Sequence, residues 1–133
     1  MSITLKNGAA ALELDPDLLW SDEFAWSGVR QAVERGITGS LIVQSKAMTG
    51  GRPITLEPET DDSAWLTREN LLLLQAWSAD PAADLLLTIR GVERAVLFRH
   101  EDDSGAITAR PVVHFRDVLD SDQYVCTLRL MEK

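Results

Sequence analysis

The sequence predicts a mainly β fold with one principal α-helix: a β-sandwich or barrel flanked by that helix. Three observations carry this. Apolar and polar residues alternate with a period of two through most of the chain, as they do in half-buried strands. Turn signals such as Asn7-Gly8, Gly50-Gly51 and Ser104-Gly105 separate the runs. Only one segment, Thr67 to Ala79, has the length and composition of a strong helix. About nine strands and one helix fit a sandwich or barrel with a helix at an open edge or end.

In chain order, Ile3 to Lys6 and Ala10 to Leu14 form two short strands around Asn7-Gly8, a hairpin signal. Asp15-Pro16-Asp17 breaks the pattern. Leu18, Leu19, Trp20, Phe24 and Trp26 then put large apolar side chains into a loop-like acidic segment. They either plug one end of the core or anchor a neighbouring subunit, since aromatics are enriched at interface hot spots. Ser27 to Arg35 reads as a strand, although Gln31, Ala32 and Glu34 also suit a short helix. Between Gly39 and Gly50, Leu41-Ile42-Val43 is an apolar run of the kind found in strands covered on both faces.

Arg52 to Glu57 forms the next strand, with Ile54 and Leu56 facing the core. Thr67 can cap the helix by accepting an amide hydrogen at its start, and Asp80-Pro81 stops it. Leu71, Leu72, Leu73, Leu74, Ala76 and Trp77 cover more than half its circumference, so it is expected to be buried by sheets rather than to lie on one. Leu85 to Arg90 and Ala95 to His100 form a hairpin around Gly91-Val92-Glu93, and Ile107 to Arg116 returns against them with Val113 and Phe115 on one face. Tyr124 to Met131 closes the pattern, with Tyr124, Cys126, Leu128 and Leu130 inward.

Bulk properties bound the function. The 133 residues fit one domain, residues 1–133, large enough to bury a core. Hydrophobic residues make up 45% and charged residues 26%, ordinary values for a globular chain, and no apolar run approaches the ~20 residues of a membrane-spanning helix. The N-terminal stretch has no basic region followed by an apolar core, so no secretory signal is expected. Cys126 is the sole cysteine, which excludes an intrachain disulfide and fits an intracellular assembly site. A net charge of −8, with no local cluster of Lys or Arg, argues against holding duplex nucleic acid or an anionic membrane.

No catalytic constellation emerges. His100 and His114 lie on successive strands whose pairing would keep their rings apart, so neither a triad nor a shared metal is expected. One cysteine and two separated histidines do not make a tetrahedral zinc set. The acidic turns at Asp61-Asp62 and Glu101-Asp102-Asp103 lack the ligand spacing of a calcium loop. Gly50-Gly51-Arg52 lacks the ending of a phosphate cradle. Cys126 reads as a small core residue. The expectation is a protein without enzyme activity, metal or cofactor.

A set of short motifs in fixed order adds to this. Trp20 and Trp26 precede Gly39-Ser40-Leu41-Ile42-Val43-Gln44, which precedes Gly51-Arg52-Pro53-Ile54-Thr55-Leu56. Trp65-Leu66-Thr67-Arg68 then opens the leucine-rich helix, and Phe98-Arg99-His100-Glu101-Asp102 precedes Ala109-Arg110-Pro111-Val112. In this order, from Trp20 to Val113, the chain resembles the small tail proteins of long-tailed bacteriophages and prophages.

That resemblance implies a tail-tube or distal-tail fold assembled into a ring, commonly a hexamer, as a structural part of the virion tail or baseplate. It implies room for the ring-forming domain alone, without appended carbohydrate-binding arms. Its partners would be copies of itself and neighbouring tube, hub or tip proteins, with assembly in the host cytoplasm. The genome would pass through the lumen unbound, so Glu57, Glu59, Asp61, Asp62, Glu101, Asp102 and Asp103 are candidates for an acidic lumen or ring face that repels phosphate. Trp20, Phe24, Trp26, Arg52, Trp65 and Arg68 are candidates for subunit contacts. A tube or tube-terminator subunit is the alternative within the same particle. A small cytoplasmic β-barrel module, binding a ligand or peptide through Trp20, Trp26, Trp65 and Trp77, is the alternative of another class.

Overall fold

A computed structural model describes residues 3–60, 63–101 and 105–133. It is mainly β with a single helix, consistent with a β-sandwich flanked by that helix. Eleven strands lie among the described residues: β1 (Ile3–Asn7), β2 (Ala10–Leu14), β3 (Leu18–Trp20), β4 (Val29–Arg35), β5 (Leu41–Ala47), β6 (Pro53–Pro58), β7 (Trp65–Thr67), β8 (Leu85–Ile89), β9 (Val92–Phe98), β10 (Ile107–Pro111) and β11 (Gln123–Glu132). The helix α1 (Arg68–Ser78) follows β7.

Nine strands form one sheet in the order β2-β1-β8-β9-β11-β6-β3, with β7 and β10 also paired to β11, all antiparallel. The long β11 organises it. Its first half pairs with β10 on one edge and β7 on the other, and its second half pairs with β9 and β6 on those same edges. Period-two burial along β11, with Cys126, Leu128 and Leu130 inward, follows the alternation of the sequence. The core collects Leu5, Leu14, Ile54, Leu56, Leu87, Val96, Leu128 and Leu130, all fully enclosed, and α1 adds Leu74.

Most of the expected strands are present with shifted ends. The first hairpin turns through Gly8-Ala9, because Asn7 pairs with Ala10 and belongs to the ladder. The β8–β9 turn is Arg90-Gly91, both at positive φ, so Val92 and Glu93 extend β9 rather than form the turn. Leu18–Trp20 is a strand on β6, with Leu18 and Trp20 buried, where a loop was expected.

Four expectations are corrected. The helix is capped as expected, the Thr67 hydroxyl accepting from Asn70 N at 3.4 Å. It is not buried all round, because it packs on one side only: Leu74 and Trp77 are enclosed, while Leu72, Leu73 and Ala76 face outward. Leu41-Ile42-Val43 is open on both faces, all three side chains being exposed, because among the described residues no other layer packs on the two-stranded β4–β5 sheet. The strand expected from Ile107 to Arg116 ends at Pro111, and Val113 and Phe115 are exposed in an irregular segment spanning 112–122. Finally, β10 does not pair with β9; both lie end to end along one edge of β11.

Candidate functional site

The feature most at odds with a self-sufficient fold is the β4–β5 hairpin. All fourteen of its strand residues are exposed. Its register is regular from Val29↔Ala47 to Arg35↔Leu41. The tip closes through Gly36 N to Ser40 O at 2.8 Å, and Ile37 stands fully in solvent at 108% exposure. At ~3.3 Å per residue, seven-residue strands reach roughly 20 Å from the body.

Directly opposed residues share a face of an antiparallel pair. One face therefore carries Val33, Val43 and Leu41 toward the tip, with Val29 and Ala47 at the root. The other carries Arg30 and Lys46 at the root and Ile42 further out. Residues 29–47 hold three cations and one carboxylate, a net +2, in a chain of net −8, which leaves −10 on the remainder. An isolated two-stranded ribbon is marginal in water, and both outer edges leave backbone N–H and C=O groups ready for pairing.

The root is fixed where the arm is free. Asp22 accepts hydrogen bonds from Thr55 N at 2.9 Å and Thr55 Oγ1 at 2.8 Å, tying the outgoing leg to β6. Arg52 Nη2 donates to Glu23 O at 2.8 Å, and Arg90 Nη1 meets the Glu23 carboxylate at 2.7 Å. On the returning leg, Gly51 N donates to Glu132 O at 2.7 Å, and Met48 N closes the base on Gly28 O at 2.8 Å. The arm thus projects from a riveted base.

A second open surface lies at the start of α1. Arg68 N donates to Asp122 O at 2.9 Å and Glu69 N to Asp120 O at 3.1 Å, so the 112–122 segment is laid against the helix N-terminus. A groove of about 410 Å³ is lined there by Glu69, Asn70, Leu72, Leu73 and Asp120. Val118 and Leu119, on the same segment, are exposed as well.

The expected contact residues divide. Phe24 is 93% exposed, and Trp65 is exposed on β7. Trp26 is half-buried and its ring lies 3.3 Å from where a side chain at Gly28 would begin. Trp20 is not a surface anchor: at 5% exposure it belongs to the core, with the guanidinium carbons of Arg52 and Arg94 at 4.7 and 5.3 Å from its ring centroid. Arg52 is held to Glu23 O, and Arg68 Nη1 donates to the Tyr124 hydroxyl at 2.8 Å, so both act within the chain. The four tryptophans do not gather around one cavity. Trp20 lines a groove with Ile3, Leu18 and Arg90, and Trp77 lines another with Pro81 and Phe98.

Of the acidic candidates, Glu57 is half-buried at the end of β6, and Glu59 and Glu101 are exposed. Asp61, Asp62, Asp102 and Asp103 lie outside the described residues. The described members Glu57 and Glu59 lie at or just after the end of β6 and Glu101 follows β9, and β6 and β9 pair with opposite edges of β11. Beside β9, Arg99 N donates to Arg129 O, and Arg129 N donates to Ala106 O.

Among the described residues, no group of three or more His, Cys, Asp or Glu side chains is placed to hold a metal ion. His100 follows β9 and His114 sits in the 112–122 segment, so they lie in different connections. Cys126 is buried, and its enclosure pushes the thiol pKa up to about 11. A thiol held in its neutral form is a poor nucleophile. Among the described residues, no helix is long and apolar enough to cross a membrane.

Sequence reasoning missed the exposed arm and the groove beside α1. A signal for the groove was available: four consecutive leucines cannot all face one side of a helix. Comparison with protein-family models and with curated proteins finds no match to this chain.

Proposed function

We propose that this chain is a structural, non-enzymatic subunit of a long-tailed bacteriophage tail or baseplate. It forms a ring near the distal end of the tail tube and docks hub or tip proteins. The observation that carries this reading is the β4–β5 arm, a solvent-exposed ribbon with apolar residues on both faces and unpaired edges, held on a rigid root. Such a ribbon gains most of its stability from a partner, as subunits of a closed assembly gain theirs from one another.

The resemblance in motif order supplies the particle and the ring, commonly a hexamer in that group. The acidic remainder of the chain suits a channel through which DNA slides without sticking. Quantitative mass spectrometry of purified virions tests the reading. A single ring's worth of copies is expected. Many copies per particle favour the tube subunit instead, and absence from the virion overturns the proposal.

A further inference from the structure

We propose that the β4–β5 arm of one copy seats on the groove between α1 and the 112–122 segment of the next copy. This inference rests on the self-assembly reading above and names the two surfaces that would meet. Two features of one chain, each incomplete alone, match in polarity and charge.

The groove is apolar where a helix surface is ordinarily polar. Turning Leu74 and Trp77 into the core forces Leu72 and Leu73 outward, and both line the groove. Around this floor stand carboxylates. Residues 112–122 contain three aspartates and one arginine, a net −2 with His114 neutral, and Glu69 stands beside Asp120 in the groove wall. Among the described residues nothing encloses this floor: Leu72 and Leu73 remain 44% and 38% exposed.

The arm is the complement. Val33, Val43 and Leu41 share one face with Arg35, while Arg30 and Lys46 lie on the other, and these three cations against Glu34 give the ribbon its net +2. Opposite fields of this kind steer encounter and fix register, while the apolar contact supplies affinity. Because arm and groove are different patches, the contact is head-to-tail. That type of contact closes into a ring when the rotation allows and otherwise runs on as a filament. A second copy is therefore the occupant that the charge balance of this chain favours.

The test uses the full chain with two paired variants. Gln31→Glu with Arg35→Glu, on the face that carries Val43, reverses the arm, and Glu69→Lys with Asp120→Lys, both in the groove wall, reverses the groove. Sedimentation velocity should show self-association of the wild type weakened about tenfold or more in each variant alone. Mixing the two variants should restore it. Thermal melts of each variant establish that it is folded, since the four substituted side chains are exposed. A second readout oxidises a mixture of Val43→Cys and Leu73→Cys chains; Cys126 is buried and does not compete.

A disulfide joining the two different variants is expected. A Val43→Cys pair joined to itself, or no rescue on mixing, overturns the arm-in-groove contact and leaves the ring reading in place. A wild type that stays monomeric at its highest soluble concentration, together with no disulfide between the Val43→Cys and Leu73→Cys chains, overturns both.

Discussion

Leu72 and Leu74 sit two positions apart in one leucine run, yet the structure assigns them opposite fates. Leu74 is 0% exposed beneath the helix, whereas Leu72 is 44% exposed on its outer side. Replacing Leu74 with alanine removes three buried carbons. At ~0.8 kcal/mol per methylene this is about 2.4 kcal/mol of transfer energy. The cavity left behind raises the total to roughly 3–4 kcal/mol, because a sheet-backed site collapses poorly. The same change at Leu72 removes half-solvated carbons and leaves no cavity, so about 1 kcal/mol or less is expected.

At this chain length a loss of 1 kcal/mol lowers the melting temperature by about 3–4 °C. Leu74→Ala should therefore melt roughly 10 °C below wild type, and Leu72→Ala within about 3 °C of it. Circular dichroism melts at high dilution separate this effect from any self-association, which would add apparent stability by mass action. Equal losses at the two positions would refute the one-sided packing of α1 and restore the expectation of a helix enclosed all round.

Three further outcomes follow from local geometry. Thr67→Ala removes the hydroxyl that caps Asn70 N and should cost ~1 kcal/mol in urea titrations, while Thr67→Ser should keep most of it. Gly50→Ala should destabilise more than Gly51→Ala. Both positions have positive φ, but only at Gly50 would the new methyl carbon meet backbone, at 2.8 Å from the Lys133 carbonyl carbon; equal urea midpoints would refute the clash. Cys126 gives a pH dependence: its folded pKa is raised from 9.0 to about 11, so the unfolded thiol ionises first. Stability from this group is complete below pH 9 and is lost as pH rises toward about 11, by roughly 3 kcal/mol. Urea midpoints of wild type and Cys126→Ala should accordingly converge with rising pH.

Much of the body was legible because its strands obey the simplest rule. Along β8 and β11, period-two alternation places Leu85, Leu87, Leu128 and Leu130 inward, and burial follows. The cap at Thr67 was legible for a similar reason: a hydroxyl before a helical run has one favourable use. What stayed hidden depended on neighbours. Leu41-Ile42-Val43 has the composition of a covered strand, but coverage is a property of what lies above and below it, and among the described residues nothing does. Trp20 could as well have anchored a partner as filled the core; only its pairing to β6 decides. The groove beside α1 arises from contact between a helix and a segment some fifty residues later, held by two backbone bonds that no local pattern encodes.

The arrangement around β11 also constrains how the chain comes into being. This strand emerges from the ribosome after every strand it joins, so β6, β7, β9 and β10 wait with bare edges until it arrives. Closure of the body then depends on contacts distant in sequence, a slow class of folding event. During that interval the ribbon at residues 29–47 is already synthesised and sticky. A cell making many copies at once would benefit from keeping nascent chains apart until the final strand slots in.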